Sequence, residues 1–197
     1  MENKVFILDG GMGTMLQAAG LQPGEHPEKF GYEHPEIVCD IHKKYIAAGS
    51  DIIYTNTFGA NSHKIAGSGI DTKTAVKAAL QAAKKAAEES QRKVKVALDV
   101  GPIGELLEPL GTLKFEDALE VYKEQMIAGE KYGADLIVIE TFTDLYDAKA
   151  AVLAAKENTK LPVWVTMSYE ESGRTFTGTK IGAMAMTLEG LGVDGIG

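Results

Sequence analysis

Short apolar runs that end in polar or glycine-rich residues recur along this chain, and a helical pattern follows each run. The clearest runs cover residues 5–8, 52–57 and 136–141. Strands that are apolar on both faces belong to parallel sheets covered by helices. Because such sheets place ligand chemistry at the carboxyl ends of their strands, the polar residues that end these runs are the first candidates for a functional site.

Residue spacing predicts an alternation of strands and helices along the whole chain. The strands are predicted at residues 5–8, 52–57, 94–100, 136–141, 163–167 and 193–197, and the helices at 11–20, 35–49, 71–91, 115–132, 144–158 and 181–191. The segment around Pro23, Gly24 and Pro27 has the composition of a loop.

The residues that lead into the strands are also repeated, since Gly49 and Asp51 precede the second strand as Gly133 and Asp135 precede the fourth. A repeated strand–helix unit favours an α/β fold of the (β/α)8 TIM barrel type over an open, doubly wound sheet. About six strands are predicted rather than eight, so residues 1–197 are expected to form one incomplete barrel domain from a longer protein. The alternative is a naturally short open sheet with an exposed apolar edge.

Charge and cysteine content limit the partners and the location. The 197 residues carry a net charge of −8, which argues against nucleic acid and against an anionic membrane surface. No run approaches the roughly 20 apolar residues of a membrane-spanning helix. The single cysteine, Cys39, cannot form an internal disulfide, so a reducing, cytoplasmic location is expected.

The end of the first predicted strand offers groups for an amino acid's charged head. Asp9 can hold an ammonium group, and the glycines that follow let the backbone approach a ligand closely. The N–H groups of Gly10 and Gly11 are then candidates to bind a carboxylate. The alternative is a tight turn in which Asp9 only caps the following helix.

Glu140 ends a strand that is otherwise apolar. A carboxylate there is costly unless it is paired or faces the mouth of the barrel, where it could be a second partner for an ammonium group. The alternatives are a salt bridge or a cap for the helix that begins near Asp144. Thr55 and Thr57 offer hydrogen bonds at the end of the second strand, although strand ends are often polar without a function.

Several other polar residues have less specific interpretations. The loop at residues 99–105 is either a rigid turn or part of the mouth lining, and Arg174 could meet an anion or lie exposed in a hairpin. The histidines have no metal-ligand spacing and are expected at the surface, namely His26, His34, His42 and His63. Cys39 is expected to pack inside a helix rather than to react.

Five motifs in register resemble the homocysteine methyltransferase family. They cover residues 8–14 (LDGGMGT), 55–60 (TNTFGA), 99–104 (DVGPIG), 140–144 (ETFTD) and 172–179 (SGRTFTGT). The resemblance extends over essentially the whole chain and is nearest to the homocysteine-binding module of cobalamin-dependent methionine synthases.

The resemblance implies a (β/α)8 barrel in which Asp9 and Glu140 hold the homocysteine amino group and the N–H groups of Gly10 and Gly11 hold its carboxylate. It also implies a zinc ion, bound by three cysteines, that activates the homocysteine thiol. Those cysteines fall beyond this sequence and Cys39 matches none of them, so no metal ligand and no catalytic residue is expected within the chain.

The parent enzyme is therefore expected to methylate homocysteine to methionine. The resemblance implies methylcobalamin, S-methylmethionine or betaine as the methyl donor, depending on the branch of the family. In the branch that the chain resembles most, the donor is methylcobalamin, and folate and cobalamin are bound by other domains. This chain alone is expected to be inactive, and its unclosed barrel edge could lead to self-association. The alternative is a non-catalytic amino-acid-binding protein or a truncated structural fragment of a barrel. An unrelated barrel aldolase ranks last, because Lys95 lies at the start of its strand rather than at the end.

Overall fold

The computed structural model describes residues 5–197. It contains seven helices and five strands in this part of the chain. They are α1 (Met12–Ala18), α2 (Pro27–Glu33), α3 (Pro35–Ala48), β1 (Ile52–Tyr54), α4 (Thr72–Glu89), β2 (Lys95–Val100), α5 (Phe115–Lys131), β3 (Leu136–Phe142), α6 (Leu145–Asn158), β4 (Val163–Met167), α7 (Ile181–Gly190) and β5 (Gly195–Ile196).

The five strands form one parallel sheet in the order β1-β2-β3-β4-β5. A doubly wound sheet reverses its strand order at a switch point, whereas successive strands of a barrel are neighbours throughout. The α/β architecture is confirmed, and the sequential order is that of a barrel wall. Within residues 5–197, β1 and β5 do not pair with each other, so these strands do not close into a barrel.

The prediction of a regular strand at residues 5–8 was wrong. The segment runs beside β1 but makes one isolated parallel bridge, between Leu8 and Ile52. The N–H of Asp51 donates to the carbonyl of Ile7 at 2.7 Å, and the N–H of Asp9 donates to the carbonyl of Ile52 at 3.1 Å.

The loop predicted around Pro27 is also corrected, because α2 begins at that residue. Proline suits the first position of a helix, where its missing N–H has no partner to lose. The helix is short and it buries Glu28 and Gly31 rather than an apolar stripe, so the hydrophobic pattern gave no signal for it. α2 packs against α4 and α3 and so covers one side of the sheet's carboxyl end.

Successive side chains along each strand point to opposite faces of the sheet, and each face has its own apolar cluster. The outer cluster, between sheet and helices, includes Leu98, Val100, Ile137 and Ile139. The inner cluster consists of Ile52, Ala97, Leu136 and Val138, with Tyr54 and Trp164 packed against it. Because strand residues two apart share a face, the next inner positions at the carboxyl ends of β2 and β3 are Asp99 and Glu140.

Two expectations for α3 had opposite outcomes. Cys39 packs into the outer cluster as predicted, with 3% of its surface exposed. The prediction that His42 lies at the surface was wrong, because it is fully buried. Neither ring nitrogen of His42 has a hydrogen-bond partner within residues 5–197, and burial lowers its pKa to about 4. His42 is therefore a neutral core residue.

Candidate functional site

A cavity of about 540 Å³ opens at the carboxyl end of the sheet. It lies between the start of α1, the start of α2 and the ends of β1, β2 and β3. Its lining includes Gly11, Met12, Glu28, Thr55, Asp99 and Glu140. This is the edge of a parallel sheet where barrels place their ligands.

Glu140 faces this cavity as the next inner position of β3 after Leu136 and Val138, and the strand is irregular around it. The pairing register between β3 and β4 shifts between Ile139 and Phe142, and Thr141 has a φ of 63°, which is rare for a residue with a Cβ. Bulges of this kind often redirect a side chain beside an active site. Glu140 makes no ion pair within residues 5–197, and burial raises its pKa.

The two alternatives for Glu140, a salt bridge and a cap for the following helix, were both wrong. α6 begins after Asp144, whose own carboxylate accepts a hydrogen bond of 2.9 Å from the N–H of Tyr146. Glu140 is thus left as a half-buried carboxylate in the cavity wall with no protein cation beside it in the described residues.

Asp9 lies in the segment before α1, close enough to Glu140 for their charges to interact. Its carboxylate accepts a hydrogen bond of 2.9 Å from the N–H of Tyr54. The capping alternative was wrong, since Gly11 is the residue before α1 and no side chain caps this helix. Burial raises the pKa of Asp9 to about 7, and the charge of Glu140 adds to the rise. Asp9 is not itself one of the cavity-lining residues.

Asp99 also belongs to the candidate site, although its sequence pattern predicted only a loop that is either a rigid turn or part of the mouth lining. It is only 7% exposed, yet it lines the cavity from the end of β2. Burial raises its pKa well above the usual range, and the charges of Glu140 and Asp9 raise it further. The alternation of inner and outer positions along β2 is the signal that could have identified it.

The hydroxyls of Thr55 and Thr57 are used inside the protein. Thr57 Oγ1 donates to the carbonyl of Asp99 at 2.7 Å, and the N–H of Asp99 donates to Thr55 Oγ1 at 3.1 Å. The two hydroxyls lie 2.7 Å apart, so Thr55 is left to donate to Thr57. This cycle fixes the end of β1 to the end of β2. Thr55 lines the cavity while Thr57 is fully buried, and a substrate contact of either stays a prediction.

Gly10 and Gly11 lie where α1 begins, and Gly11 lines the cavity. Their N–H groups precede the helix and so lie outside its hydrogen-bond ladder. A Cβ on Gly10 would lie 3.0 Å from the ring of Tyr45, whose hydroxyl donates to the carbonyl of Gly11 at 3.1 Å. Glycine is therefore favoured at position 10 by close packing, and the carboxylate-binding role of both glycines stays a prediction.

Two further charged residues in the cavity wall were missed. Glu28 accepts a hydrogen bond of 2.6 Å from the N–H of Gly59, and burial raises the pKa of its carboxyl. Lys64 lies 4.8 Å from the centre of the Phe58 ring, and burial lowers the pKa of its ammonium group. Glu28 is on the helix that the sequence did not predict. Lys64 lies in an irregular segment with no recognisable pattern.

The described residues contain no group of three or more His, Cys, Asp or Glu side chains arranged to hold a metal ion. Arg174 donates to the carbonyl of Gly178 at 2.9 Å, as expected for a hairpin arginine. No helix within residues 5–197 has both the length and the apolar character needed to cross a membrane.

The charged groups described above make the cavity acidic, with four carboxyl groups in or beside its wall and Lys64 as its cation.

A parallel strand–helix wall with an acidic pocket at its carboxyl end is typical of barrel-type α/β proteins, which place their ligand sites at this end. The family model for homocysteine S-methyltransferase matches residues 6–197, and the chain belongs to this family. The chain is 32% identical over 219 aligned residues to methionine synthase of Mycobacterium tuberculosis (strain ATCC 25618 / H37Rv) and 32% identical over 213 to that of Mycobacterium leprae (strain TN).

In both comparisons the whole chain is covered, but it spans only 18% of the length of these relatives. Among solved structures, the oxidized form of the homocysteine methyltransferase MmuM from Escherichia coli has a TM-score of 0.87 at 22% identity, covering 99% of this chain and 73% of that one. At this identity the likeness shows the fold alone. The family assignment and the barrel-type wall predicted from the sequence are confirmed.

Proposed function

We propose that this chain is the homocysteine-binding part of an enzyme that transfers a methyl group to the homocysteine thiol. The observation that carries the proposal is the pairing of Asp9 and Glu140, two half-buried carboxyl groups whose charges interact at the carboxyl end of the sheet. Two such groups without a protein cation between them suit an ammonium group, since a buried charge needs an opposite charge.

In this proposal the amino and carboxylate groups of homocysteine are bound, and its thiol side chain is left free. The carboxyl groups of Asp9 and Glu140 accept hydrogen bonds from the ammonium group. The N–H groups of Gly10 and Gly11 donate to the substrate carboxylate. With the ammonium and carboxylate groups both fixed, the thiol points away from the cavity wall. A methyl donor can then approach the thiol from the open side of the cavity.

The family resemblance calls for a zinc ion that holds the thiol as a thiolate. The residues described here do not fit such a site, because they contain no suitable cluster of ligands. Cys39 is buried in α3, and burial raises the pKa of its thiol, which disfavours the thiolate a metal needs. We therefore assign binding and orientation of homocysteine to this chain and derive no chemical step from it.

We infer that the chemistry is completed by other parts of a larger enzyme of the methionine synthase type, with methylcobalamin as donor. The coverage of the curated relatives supports this, since the match accounts for 18% of their length. The competing proposal is a binding protein that holds an amino acid without turnover. The same acidic pocket supports it, and neither proposal expects turnover from this chain alone, so the activity of the larger enzyme has to separate the two.

The experiment measures homocysteine binding, zinc content and methyl transfer on the 197-residue chain. We expect homocysteine to bind, whereas 4-sulfanylbutanoate, which lacks only the amino group, binds much more weakly. We also expect no stoichiometric zinc and no turnover with methylcobalamin. Equal binding of the two thiols would refute the ammonium site, and zinc with turnover would refute the division of roles.

A further inference from the structure

One oxygen in the cavity wall has no partner. Asp99 has 93% of its surface buried, being 7% exposed, and its Oδ1 atom has no hydrogen-bond partner within residues 5–197. A buried polar atom without a partner costs free energy and is uncommon in folded proteins. Since Asp99 also lines the cavity, a ligand that enters the cavity can supply the missing donor.

The neighbours of Asp99 indicate what kind of donor fits. Asp99 is the last inner-facing residue of β2, and its partner across the ladder on β3 is Val138, two residues before Glu140. On β1, Tyr54 pairs with Ala97, two residues before Asp99. Glu140, Asp9 and Glu28 all act on Asp99 with negative charge. A cationic donor is therefore favoured over a neutral one.

The protein's own cation is not that donor. Lys64 acts on Asp99 from a distance, but its Nζ lies over the Phe58 ring and makes no ion pair within 4.0 Å in the described part of the chain. A primary ammonium group carries three N–H donors, and three carboxyl groups are available where the ends of the first three parallel segments meet, namely Asp9, Asp99 and Glu140.

We propose that Asp99 is a third acceptor for a primary ammonium group, beside Asp9 and Glu140, and that it makes the site selective for primary over N-alkylated amines. This rests on the proposed function, in which Asp9 and Glu140 hold the amino group of homocysteine. Each carboxyl group then takes one of the three N–H donors. An N-methyl group on the substrate removes one donor and places a methyl group against a buried carboxyl oxygen.

Calorimetric titration of L-homocysteine and of N-methyl-L-homocysteine into the chain tests the proposal. We expect the unaltered chain to prefer homocysteine by about tenfold or more, the effect of one charge-assisted hydrogen bond. Asp99→Asn should weaken homocysteine binding by about 10- to 100-fold and reduce this preference. Asp117→Asn, an exposed aspartate of α5, is the matched control and should change neither value.

Two results of the comparison between the two ligands would overturn the proposal. One is equal affinity of the unaltered chain for the two ligands. This comparison needs no variant, so it tests the proposal even if Asp99→Asn does not fold. The other is an unchanged preference in an Asp99→Asn chain whose circular dichroism and melting match the unaltered chain.

Variants of the other two carboxylates separate this inference from the proposed function. If Asp9→Asn and Glu140→Gln weaken homocysteine binding and Asp99→Asn does not, the third acceptor alone is refuted. If those two variants have no effect, or if the unaltered chain does not bind homocysteine, the proposed function is refuted together with the third acceptor.

Discussion

The backbone N–H of Tyr54 donates a hydrogen bond of 2.9 Å to the carboxylate of Asp9. The bond joins the irregular segment before α1 to the end of β1, so Asp9 has a fixed position although it belongs to neither a helix nor a strand. Burial raises the pKa of the Tyr54 phenol, and the nearby charges of Glu140, Asp99 and Asp9 raise it further. The carboxyl groups thus share one site on the inner face of the sheet.

Homocysteine affinity should depend on pH because burial raises the pKa of Asp9 to about 7. The carboxyl group attracts an ammonium group only when it is ionised. We therefore expect the affinity to fall by about tenfold in total as the pH decreases from 8 to 6. Titrations in matched buffers measure this, and an affinity that is constant over this range contradicts the role of Asp9.

Acid should destabilise the fold through His42. Its pKa is lowered from 6.5 to about 4 by burial, so the unfolded chain binds the proton more tightly and stability is lost as the pH falls below about 6.5. His42→Leu removes this titration. Its free energy of unfolding, relative to that of the unaltered chain, should therefore be about 2 kcal/mol larger at pH 5 than at pH 7. Urea denaturation at both pH values measures the difference, and His34→Gln, an exposed position, is the control. An equal change in both variants would exclude His42 as the cause.

Tyr122 should stabilise the loop that follows β2. Its hydroxyl donates to Asp147 Oδ1 at 2.8 Å, and Asp147 Oδ2 accepts from the N–H of Ile103 at 3.2 Å. Tyr122→Phe leaves a buried carboxyl oxygen without its donor, which should cost about 1–3 kcal/mol of unfolding free energy. Chemical denaturation measures the loss. Tyr132→Phe is the control, because the hydroxyl of Tyr132 has no hydrogen bond in the described part of the chain. An equal loss in both variants would count against the Asp147 contact.

Gly101 should be required for the shape of the cavity. A Cβ at this position would lie 2.6 Å from Cε2 of Phe58, whose ring lines the cavity and lies under Lys64. Gly101→Ala therefore has to displace Phe58, and we expect weaker homocysteine binding in a chain that still folds. Gly182→Ala, where a Cβ meets no atom within 4 Å, is the control. Unchanged affinity in Gly101→Ala would show that the ring does not shape the site.

Much of the wall could be predicted because buried parallel strands have a strong local pattern. The strand at 163–167 was predicted with its observed bounds, and Glu140 was recognisable as a charge at the end of an apolar run. Gly49 was predicted to end α3 and Asp144 to begin α6, and both predictions are confirmed. A left-handed glycine and a side-chain cap are local features of helix ends, so the sequence alone indicates them.

The parts that were not predicted depend on contacts between distant segments. α2 is held by packing against α3 and α4, and nothing in its own seven residues shows an apolar stripe. The hydrogen bonds of Thr55 and Thr57 to Asp99 were not predicted, because they bridge 44 and 42 positions of sequence. His42 appears polar in the sequence and is buried only by tertiary packing.

The most direct test of the central claim is a calorimetric measurement of homocysteine affinity in Asp9→Asn, in Glu140→Gln and in the double variant. Each single change should weaken binding by about 10- to 100-fold, the effect of losing one charge-assisted hydrogen bond. The double variant should lose less than the sum of the two, because both carboxyl groups hold the same ammonium group. Unchanged affinity in both single variants, with melting temperatures that match the unaltered chain, would contradict the account.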